Sequence, residues 1–303
     1  MGLIKAITGA VGGGLADQWL EVLEPDAMSD TIVFTKGVTV RQGDKRSSNK
    51  KGTEDVVSNG SIIHVYDNQM MLLVDGGKIV DFTAEPGYYK VDHSTMPSMF
   101  NGQLKESVKE TFGRFKFGGV PAVTQKVFYI NLQEIKGIKF GTKNPINYFD
   151  NFYNAELFLR THGTYSIKIT DPILFYANVI PKDRDRVDIN DINAQYLAEF
   201  LQALQAAINQ MSVEGERISH VASKGPVLSK HMSEILDEEW TQQRGMEVLS
   251  VGIASISYDE ESTKLINMRN QGAMLGDPGV REGYVQGSVA RGMEAAGSNA
   301  SGS

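Results

Sequence analysis

The chain has 303 residues, of which 41% are hydrophobic and 22% charged, an ordinary globular composition that suffices for one large domain or two modest ones. Its formal net charge of −7 argues against a nucleic-acid-binding protein, which usually presents a basic face. The absence of cysteine excludes disulfides, thiol catalysis and thiolate zinc sites, and it agrees with a reducing compartment.

The first predicted element is an amphipathic helix over residues 3 to 23. Its apolar stripe recurs every four residues and consists of Leu3, Ile7, Val11, Leu15 and Trp19, with Ile4 beside it. Interior glycines such as Gly9 and Gly12 each cost about 1 kcal/mol relative to alanine. The helix therefore needs a surface against its stripe, and we consider three: lipid, the core of the same protein, or another subunit.

No apolar run in the sequence approaches the roughly 18 to 20 residues that span a bilayer. The N-terminal segment also lacks the basic start and the defined cleavage site of a secretory signal. We therefore expect a soluble, intracellular chain.

The next part of the chain is rich in predicted strands, at residues 31 to 40, 61 to 66, 69 to 74, 78 to 82 and 126 to 132. A long polar loop follows the first of these strands and is locally basic, with Lys45, Arg46, Lys50 and Lys51. The run Asp75-Gly76-Gly77-Lys78 is not a phosphate-binding loop, because position 72 is Leu and position 79 is Ile. It predicts a hairpin turn instead.

Residues 140 to 154 contain turn-forming residues and predict a loop. Residues 157 to 169 have the clearest strand pattern in the chain, with a bend or bulge expected at Gly163. One face carries Leu157, Leu159, Tyr165, Ile167 and Ile169, and the other carries Arg160, His162, Ser166 and Lys168. After Asp171-Pro172 the period changes to that of helices, with one helix capped at Asn190 or Asp191 and a second from about Gly225 to Gln243.

A strand follows over residues 247 to 258, and its apolar positions slip by one residue, which predicts a bulge or a change of face. Residues 259 to 272 return to a helical pattern. In the last thirty or so residues, Gly279, Gly283 and Gly287 fall four apart. They would form one smooth face if this part is helical, and the alternative is a flexible tail.

No motif in the sequence indicates catalysis. The spacings of dinucleotide-binding glycines, of a nucleophile elbow and of H-E-x-x-H are all absent, and the five histidines are scattered. The acidic clusters at Asp237-Glu238-Glu239 and Asp259-Glu260-Glu261 are most simply helix surface. We therefore predict no enzyme activity, no metal site and no cofactor, and an enzyme with an unrecognised site is the less favoured alternative.

The order of these motifs resembles the SPFH or band 7 superfamily of stomatins, prohibitins and flotillins. In that family a strand ending in Asp-Pro enters a helix, as in "THGTYSIKITDPILFYANV" (161 to 179), and a later strand resembles "GMEVLSVGIASISYDEE" (245 to 261), although Arg244 stands here before the glycine where the family has Trp. Two further segments, "NGSIIHVYDNQMMLLVDGGKIVDFTAEPGYYKVD" (59 to 92) and "FGTKNPINYFD" (140 to 150), resemble the bacterial stand-alone branch often labelled virion-core-protein-like. The resemblance covers roughly residues 1 to 273.

The resemblance implies an α+β fold, namely an SPFH domain with a β-rich first subdomain at 25–150 and an α/β second subdomain at 151–258. It is preceded by the N-terminal amphipathic helix at 1–24 and followed by a C-terminal helix and Gly-rich tail at 259–303. Some members of the branch carry a C-terminal zinc ribbon, which a chain without cysteine cannot form.

The resemblance also implies a non-enzymatic, homo-oligomeric scaffold at the cytoplasmic face of the cell membrane, which organises lipids or membrane partner proteins and acts in envelope stress. The residues expected to face the membrane are Leu3, Ile4, Ile7, Val11, Leu15 and Trp19. The expected lipid-headgroup contacts are Lys45, Arg46, Lys50 and Lys51.

The net charge of −7 opposes direct binding to anionic lipid, so recruitment by an integral membrane partner is an equal alternative. A second alternative is a soluble protein-interaction module whose N-terminal helix packs on its own core.

Overall fold

The architecture is that of a computed structural model, which describes residues 2–5, 21–40, 57–92 and 125–300. The strands, in chain order, are β1 (Gly2–Lys5), β2 (Val22–Pro25), β3 (Ile32–Thr39), β4 (Ile62–Val65), β5 (Gln69–Asp75), β6 (Lys78–Thr83), β7 (Gly87–Asp92), β8 (Gln125–Asn131), β9 (Ile135–Gly141), β10 (Ile146–Asp150), β11 (Ala155–Ile169), β12 (Arg186–Asp188) and β13 (Met246–Tyr258). The helices are α1 (Pro172–Asn178), α2 (Ile189–Val213), α3 (Ile218–Val221), α4 (Gly225–Leu236) with a π-helical segment (Asp237–Gln242) after it, α5 (Glu260–Leu275) and α6 (Pro278–Ala300).

The first sheet has nine strands in the order β1-β7-β4-β2-β3-β8-β5-β6, with β12 paired to β3. Both of its faces are covered, because successive residues of β5 enter different hydrophobic clusters. Met70 and Leu72 belong to the larger core, whereas Met71 and Leu73 belong to a smaller cluster on the opposite face. This burial on both sides explains why the "MMLLV" run (70 to 74) is continuously apolar instead of alternating.

The hairpin predicted at Asp75-Gly76-Gly77 is confirmed. β5 and β6 pair antiparallel around it, and Gly76 and Gly77 have φ angles of 55° and 82°. Two consecutive positive φ angles are the backbone conformation that hairpin turns require and that glycine adopts without steric cost.

The helix predicted over residues 3 to 23 is wrong at both ends. Residues Gly2–Lys5 form strand β1, which pairs with β7, and Val22–Pro25 form β2, which pairs with β3 and β4. Pairing with the sheet satisfies the backbone of these short segments and gives Leu3 a place in the smaller core, and a four-residue apolar spacing in the sequence cannot reveal such a long-range partner. Residues 6–20 lie outside the described residues.

The second sheet has four strands in the order β10-β11-β13, and β9 also pairs with β11. The loop predicted over residues 140 to 154 is therefore wrong for seven of its 15 residues, because it contains the end of β9 and the whole of β10. The burial of β10 alternates strictly from Ile146 to Asp150, which is a half-buried strand despite its turn-forming neighbours Asn144 and Pro145.

The bulge predicted in the strand over residues 247 to 258 is confirmed, and the irregularity predicted at Gly163 of β11 lies opposite it. The register between β11 and β13 shifts at His162/Gly163 and at Ser166/Ile167. Ala254 and Leu249 are the unpaired residues of β13 at these two points. A side chain on Gly163 would approach the carbonyl oxygen of Gly252 to 1.9 Å, so the bulge requires a glycine there.

The two long helices after Asp171-Pro172 are confirmed, and α2 and α4 pack on each other and on the second sheet. The N-cap of α2 is Asp188 instead of Asn190 or Asp191. Asp188 accepts a hydrogen bond from the amide of Asn190 at 2.8 Å, and Asp191 serves as the reciprocal partner in a capping box.

The larger core fills the space between the two sheets and the helices, and Phe34, Phe200 and Trp240 are among its fully buried members. The chain passes from the first sheet to the second between Asn131, at the end of β8, and Ile135, at the start of β9. The later strand β12 pairs again with the first sheet. The subdomain boundaries at residues 24, 150 and 258 stay a prediction.

Candidate functional site

The C-terminal helices α5 and α6 form the most prominent exposed surface of the described residues. Helix α5 is attached to the body at its start, where Asp259 caps it by accepting a hydrogen bond from the Ser262 amide at 2.8 Å. Hydrogen bonds from the side chain and the amide of Ser262 hold the pKa of the Asp259 carboxyl below its ordinary value. The Ser262 hydroxyl in turn accepts from the amide of Phe158 at 2.8 Å, which fixes α5 beside β11.

Helix α6 leaves the body of the protein. Every residue from 276 to 297 is exposed, and the helix contacts α5 more than any other described element. Of the two alternatives for this part of the sequence, a glycine-faced helix or a flexible tail, the structure has the helix, over Pro278–Ala300.

The surface of α6 carries an apolar stripe without a partner in the described part of this chain. Val285, Val289 and Met293 lie four residues apart and are 53%, 50% and 70% exposed. Gly283 and Gly287 also have open space around them, but they lie on the opposite side of α6 from this stripe, because residues two apart on a helix do not share a face. A helix with several interior glycines and no tertiary packing is marginal in water, so the stripe defines a surface for association.

A second exposed apolar surface lies beside α5, and we call it the phenylalanine patch (Phe149, Phe152 and Phe158). These three side chains are 43%, 40% and 38% exposed. Phe149 and Phe158 project from the same face of the β10–β11 pair, on diagonal positions of its register. The guanidinium of Arg217 lies 3.5 Å from the centre of the Phe152 ring, and that of Arg269, from α5, lies 5.9 Å away.

Sequence reasoning missed the phenylalanine patch because residues 140 to 154 were predicted as a loop. The usable signal was the alternation in "INYFD", which places Asn147 and Phe149 on the outer face and Ile146, Tyr148 and Asp150 inside.

The residues predicted to face the membrane are only partly described. Leu3 is 1% exposed in the smaller core, and its amide donates a hydrogen bond to the Asp81 carboxylate at 3.2 Å. The prediction that Leu3 faces a membrane is therefore wrong, because its side chain already has an apolar environment within the protein. Ile4 pairs with Lys90 in the sheet.

The other predicted contacts lie outside the described residues and stay predictions. These are Ile7, Val11, Leu15 and Trp19 for the membrane face, and Lys45, Arg46, Lys50 and Lys51 for lipid headgroups. The segment that carries the four apolar residues connects β1, which ends at Lys5, to β2, which begins at Val22. The segment that carries the four basic residues follows β3, which ends at Thr39. All three strands belong to the first sheet. The ammonium of Lys5 pairs with Glu85, and that hydrogen bond raises the pKa of Lys5.

Neither a metal-binding group nor a membrane-spanning helix occurs among the described residues. No three His, Cys, Asp or Glu side chains within residues 2–5, 21–40, 57–92 and 125–300 could hold a metal ion together. In the same part of the chain, no helix combines the length and the apolar character needed to cross a bilayer.

Two sheets on a shared core, followed by an exposed helical extension, define an α+β domain with exposed apolar surfaces. The model of the SPFH domain-Band 7 family matches residues 50–274, and the chain belongs to this family. The α+β SPFH fold expected from the sequence is thereby confirmed. A search of curated proteins finds no match.

Membership sets the class of function. Proteins of this family are generally non-enzymatic, form oligomers and associate with membranes, and a scaffold-like role fits the domain.

Proposed function

We propose that this protein is a non-enzymatic, homo-oligomeric scaffold that attaches peripherally to the inner face of the cell membrane and organises lipids or membrane partner proteins there. Envelope stress, the setting expected from the resemblance, is part of this proposal. The observation that carries it is the stripe of Val285, Val289 and Met293 on α6, which is exposed throughout and lies on a helix that needs packing to be stable.

The occupant we propose for the stripe is α6 of a second copy. Copies of one helix carry the same stripe, so two of them can pack symmetrically with stripe against stripe. The phenylalanine patch, 38% to 43% exposed at each ring, offers a further contact surface near α5.

The mass of purified particles tests the oligomer. We expect light scattering of the full chain to give a mass several times that of one 33.3 kDa chain. The double substitution Val285→Glu with Val289→Glu places two charges in the stripe, and we expect it to shift the protein to the single-chain mass.

Val227→Glu is the matched control. Val227 is 39% exposed in the first turn of α4, where a carboxylate is compatible with the helix dipole, so this variant should keep the mass of the unmodified protein. A single-chain mass for the unmodified protein at high concentration would remove the scaffold proposal.

Attachment to the membrane has two proposed routes. In the first route, the N-terminal segment enters the lipid interface with Ile7, Val11, Leu15 and Trp19, and the headgroups are contacted by Lys45, Arg46, Lys50 and Lys51. In the second route, an integral membrane protein recruits the oligomer. The alternative is an interaction module without membrane contact. Removal of residues 1 to 24 cannot separate these possibilities, because it would also delete β1 and take Leu3 out of the core.

Substitution within the segment separates them. The double variant Ile7→Asp with Trp19→Ala changes no residue of β1 or β2. We expect it to bind pure-lipid vesicles more weakly if the segment contacts lipid, and to bind them like the unmodified protein if it does not.

A further inference from the structure

A cavity of about 220 Å³ opens between the first sheet and the segment that connects α1 to β12. Its wall on the sheet side comes from β3, β8 and the end of β5 with the Gly76-Gly77 turn. The opposite wall consists of Tyr176, Pro181, Lys182, Arg184 and Asp185. A Cβ atom added at either glycine of the turn would meet no atom within 4 Å, so the mouth of the cavity beside the turn is open.

The floor of the cavity is aromatic. The rings of Phe34 and Phe128 stack with their centroids 4.8 Å apart, and the ring of Tyr176 lies 5.8 Å from Phe34 and 6.5 Å from Phe128. These rings belong to the larger core, and the cavity is the place where that core layer reaches solvent. An apolar group placed here would extend the core.

The rim is cationic in a protein of net negative charge. Lys126, Lys182 and Arg184 line it together with one carboxylate, Asp185. Asp185 lies 3.5 Å from the ammonium of Lys126 and 3.7 Å from that of Lys36, and it is therefore shared between these two lysines. Arg184 lies 3.5 Å from Asp191, outside the cavity.

Lys182 is the rim cation without an ion pair to any carboxylate in the described part of the chain. Its ammonium lies 3.5 Å from the centre of the Tyr176 ring and donates a hydrogen bond to the Tyr176 carbonyl. The residue as a whole is exposed, but this ammonium end is desolvated, which lowers the pKa of Lys182 from 10.5 to about 8. A carboxylate beside it would supply the counter-charge that the protein does not.

The size of the cavity restricts the ligand. Since a water molecule occupies about 30 Å³ of the liquid, the volume corresponds to about seven waters. It is smaller than the roughly 300 to 1,000 Å³ of pockets for drug-sized ligands, which favours a ligand smaller than a nucleotide. Lys126 and Arg184 each already lie 3.5 Å from a carboxylate, so Lys182 is the rim cation that a ligand would pair with, and one carboxylate matches it.

We propose that this cavity binds a small monoanion with an apolar body, a carboxylate of about the size of benzoate. The carboxylate pairs with Lys182 at the rim, and the apolar body lies against Tyr176 and Phe128. A ligand bound here would contact both the first sheet and the segment between α1 and β12, and it would thereby stabilise their packing against each other.

Titration of the full-length protein with three probes tests the proposal, with calorimetry or NMR shifts as the readout. Benzoate, its neutral isostere benzamide, and inorganic phosphate separate the charge from the apolar body. We expect saturable benzoate binding on the order of millimolar, and binding of both other probes at least about tenfold weaker.

Lys182→Met keeps the apolar stem and removes the charge, so we expect about tenfold weaker benzoate binding. Lys230→Met, on the surface of α4 at 74% side-chain exposure, is the matched control and should bind like the unmodified protein. Equal binding of benzoate and benzamide, phosphate binding as tight as benzoate binding, or an unchanged Lys182→Met variant would each overturn the proposal. The comparison of probes needs no variant, so it decides even if Lys182→Met fails to fold.

The pH dependence gives an independent readout. The titratable and charged groups facing Lys182 are Tyr176, Lys126, Arg184 and Asp185, with Lys36 behind Asp185. Burial raises the pKa of Tyr176, so its hydroxyl stays neutral where Lys182 titrates. Benzoate affinity should therefore fall as the pH rises above about 8, because the neutral amine no longer attracts a carboxylate. A flat profile from pH 7 to 10 would contradict the role of Lys182.

Discussion

Gly245 sits where the π-helical segment passes into β13, directly beside the start of α1. Its φ angle is +68°, and its carbonyl accepts hydrogen bonds from the amides of Thr170 and Asp171 at 2.8 and 3.0 Å. A Cβ atom at this position would lie 2.2 Å from the carbonyl oxygen of Asp171. Backbone geometry and contact both require glycine here, which gives a physical reason for the glycine of the "GMEV" motif.

We expect Gly245→Ala to lower the free energy of unfolding by about 3 kcal/mol or more, since left-handed strain and a backbone clash act together. Urea denaturation followed by circular dichroism measures this change. Gly272→Ala on α5 is the control, because its Cβ meets nothing within 4 Å and alanine favours a helix by up to about 1 kcal/mol. Similar midpoints for the two variants would show that the contact with Asp171 is unimportant.

At the scale of elements, helix α2 is joined to the π-helical segment by one carboxylate. Glu199 accepts a hydrogen bond from the Trp240 indole at 2.8 Å and a bidentate pair from the Arg244 guanidinium at 2.7 and 3.1 Å. Arg244 also lies 5.0 Å from the centre of the Tyr196 ring. Arg244, which departs from the Trp of the family motif, thus has a structural role in this chain.

Glu199→Ala should destabilise the fold by about 2 kcal/mol, because it leaves the indole N–H of the buried Trp240 without its acceptor. Thermal unfolding followed by tryptophan fluorescence is a suitable measurement. Glu234→Ala removes the partner of an exposed ion pair with Lys230 and should change stability by less than about 0.5 kcal/mol. If both variants unfold alike, the network around Glu199 contributes no more than a surface pair.

The elements differ in how far the sequence predicts them, and the difference follows from where their stabilising contacts lie. Helices α2 and α4 and strand β11 carry a strong periodicity of their own, so they were predicted nearly to their ends. Strands β1 and β10 were missed, because each is short and is held by a partner that only the fold supplies, β7 for the first and β11 for the second.

The candidate surfaces show the same division. The glycine spacing on α6 was visible in the sequence, and so was the possibility that this part is helical. The phenylalanine patch was not, since Phe149 and Phe158 share a face only when β10 pairs with β11, and α5 reaches this region through the hydrogen bond from Phe158 to Ser262. The cavity at Lys182 likewise combines β3, β8 and the segment after α1, which no local pattern connects.

At the scale of the whole molecule, the net charge of −7 sets the conditions for membrane attachment. An acidic chain is repelled by anionic lipid, so a few apolar side chains from one copy give only weak binding. Linking many copies in one particle makes each further contact intramolecular, which can raise the overall affinity by about 10² to 10⁴ without a new contact. Membrane attachment should therefore depend on assembly through α6.

We expect the unmodified oligomer to co-float with vesicles in a density gradient, and the Val285→Glu/Val289→Glu double variant to lose at least about tenfold of the bound fraction. Val227→Glu, with the same type of substitution outside α6, should float like the unmodified protein. Inner-membrane vesicles and vesicles of pure lipid serve as parallel samples, because flotation with the former alone indicates recruitment by a membrane protein. Equal flotation of the double variant would show that single chains bind on their own, and no flotation in either sample would leave an interaction module without membrane contact.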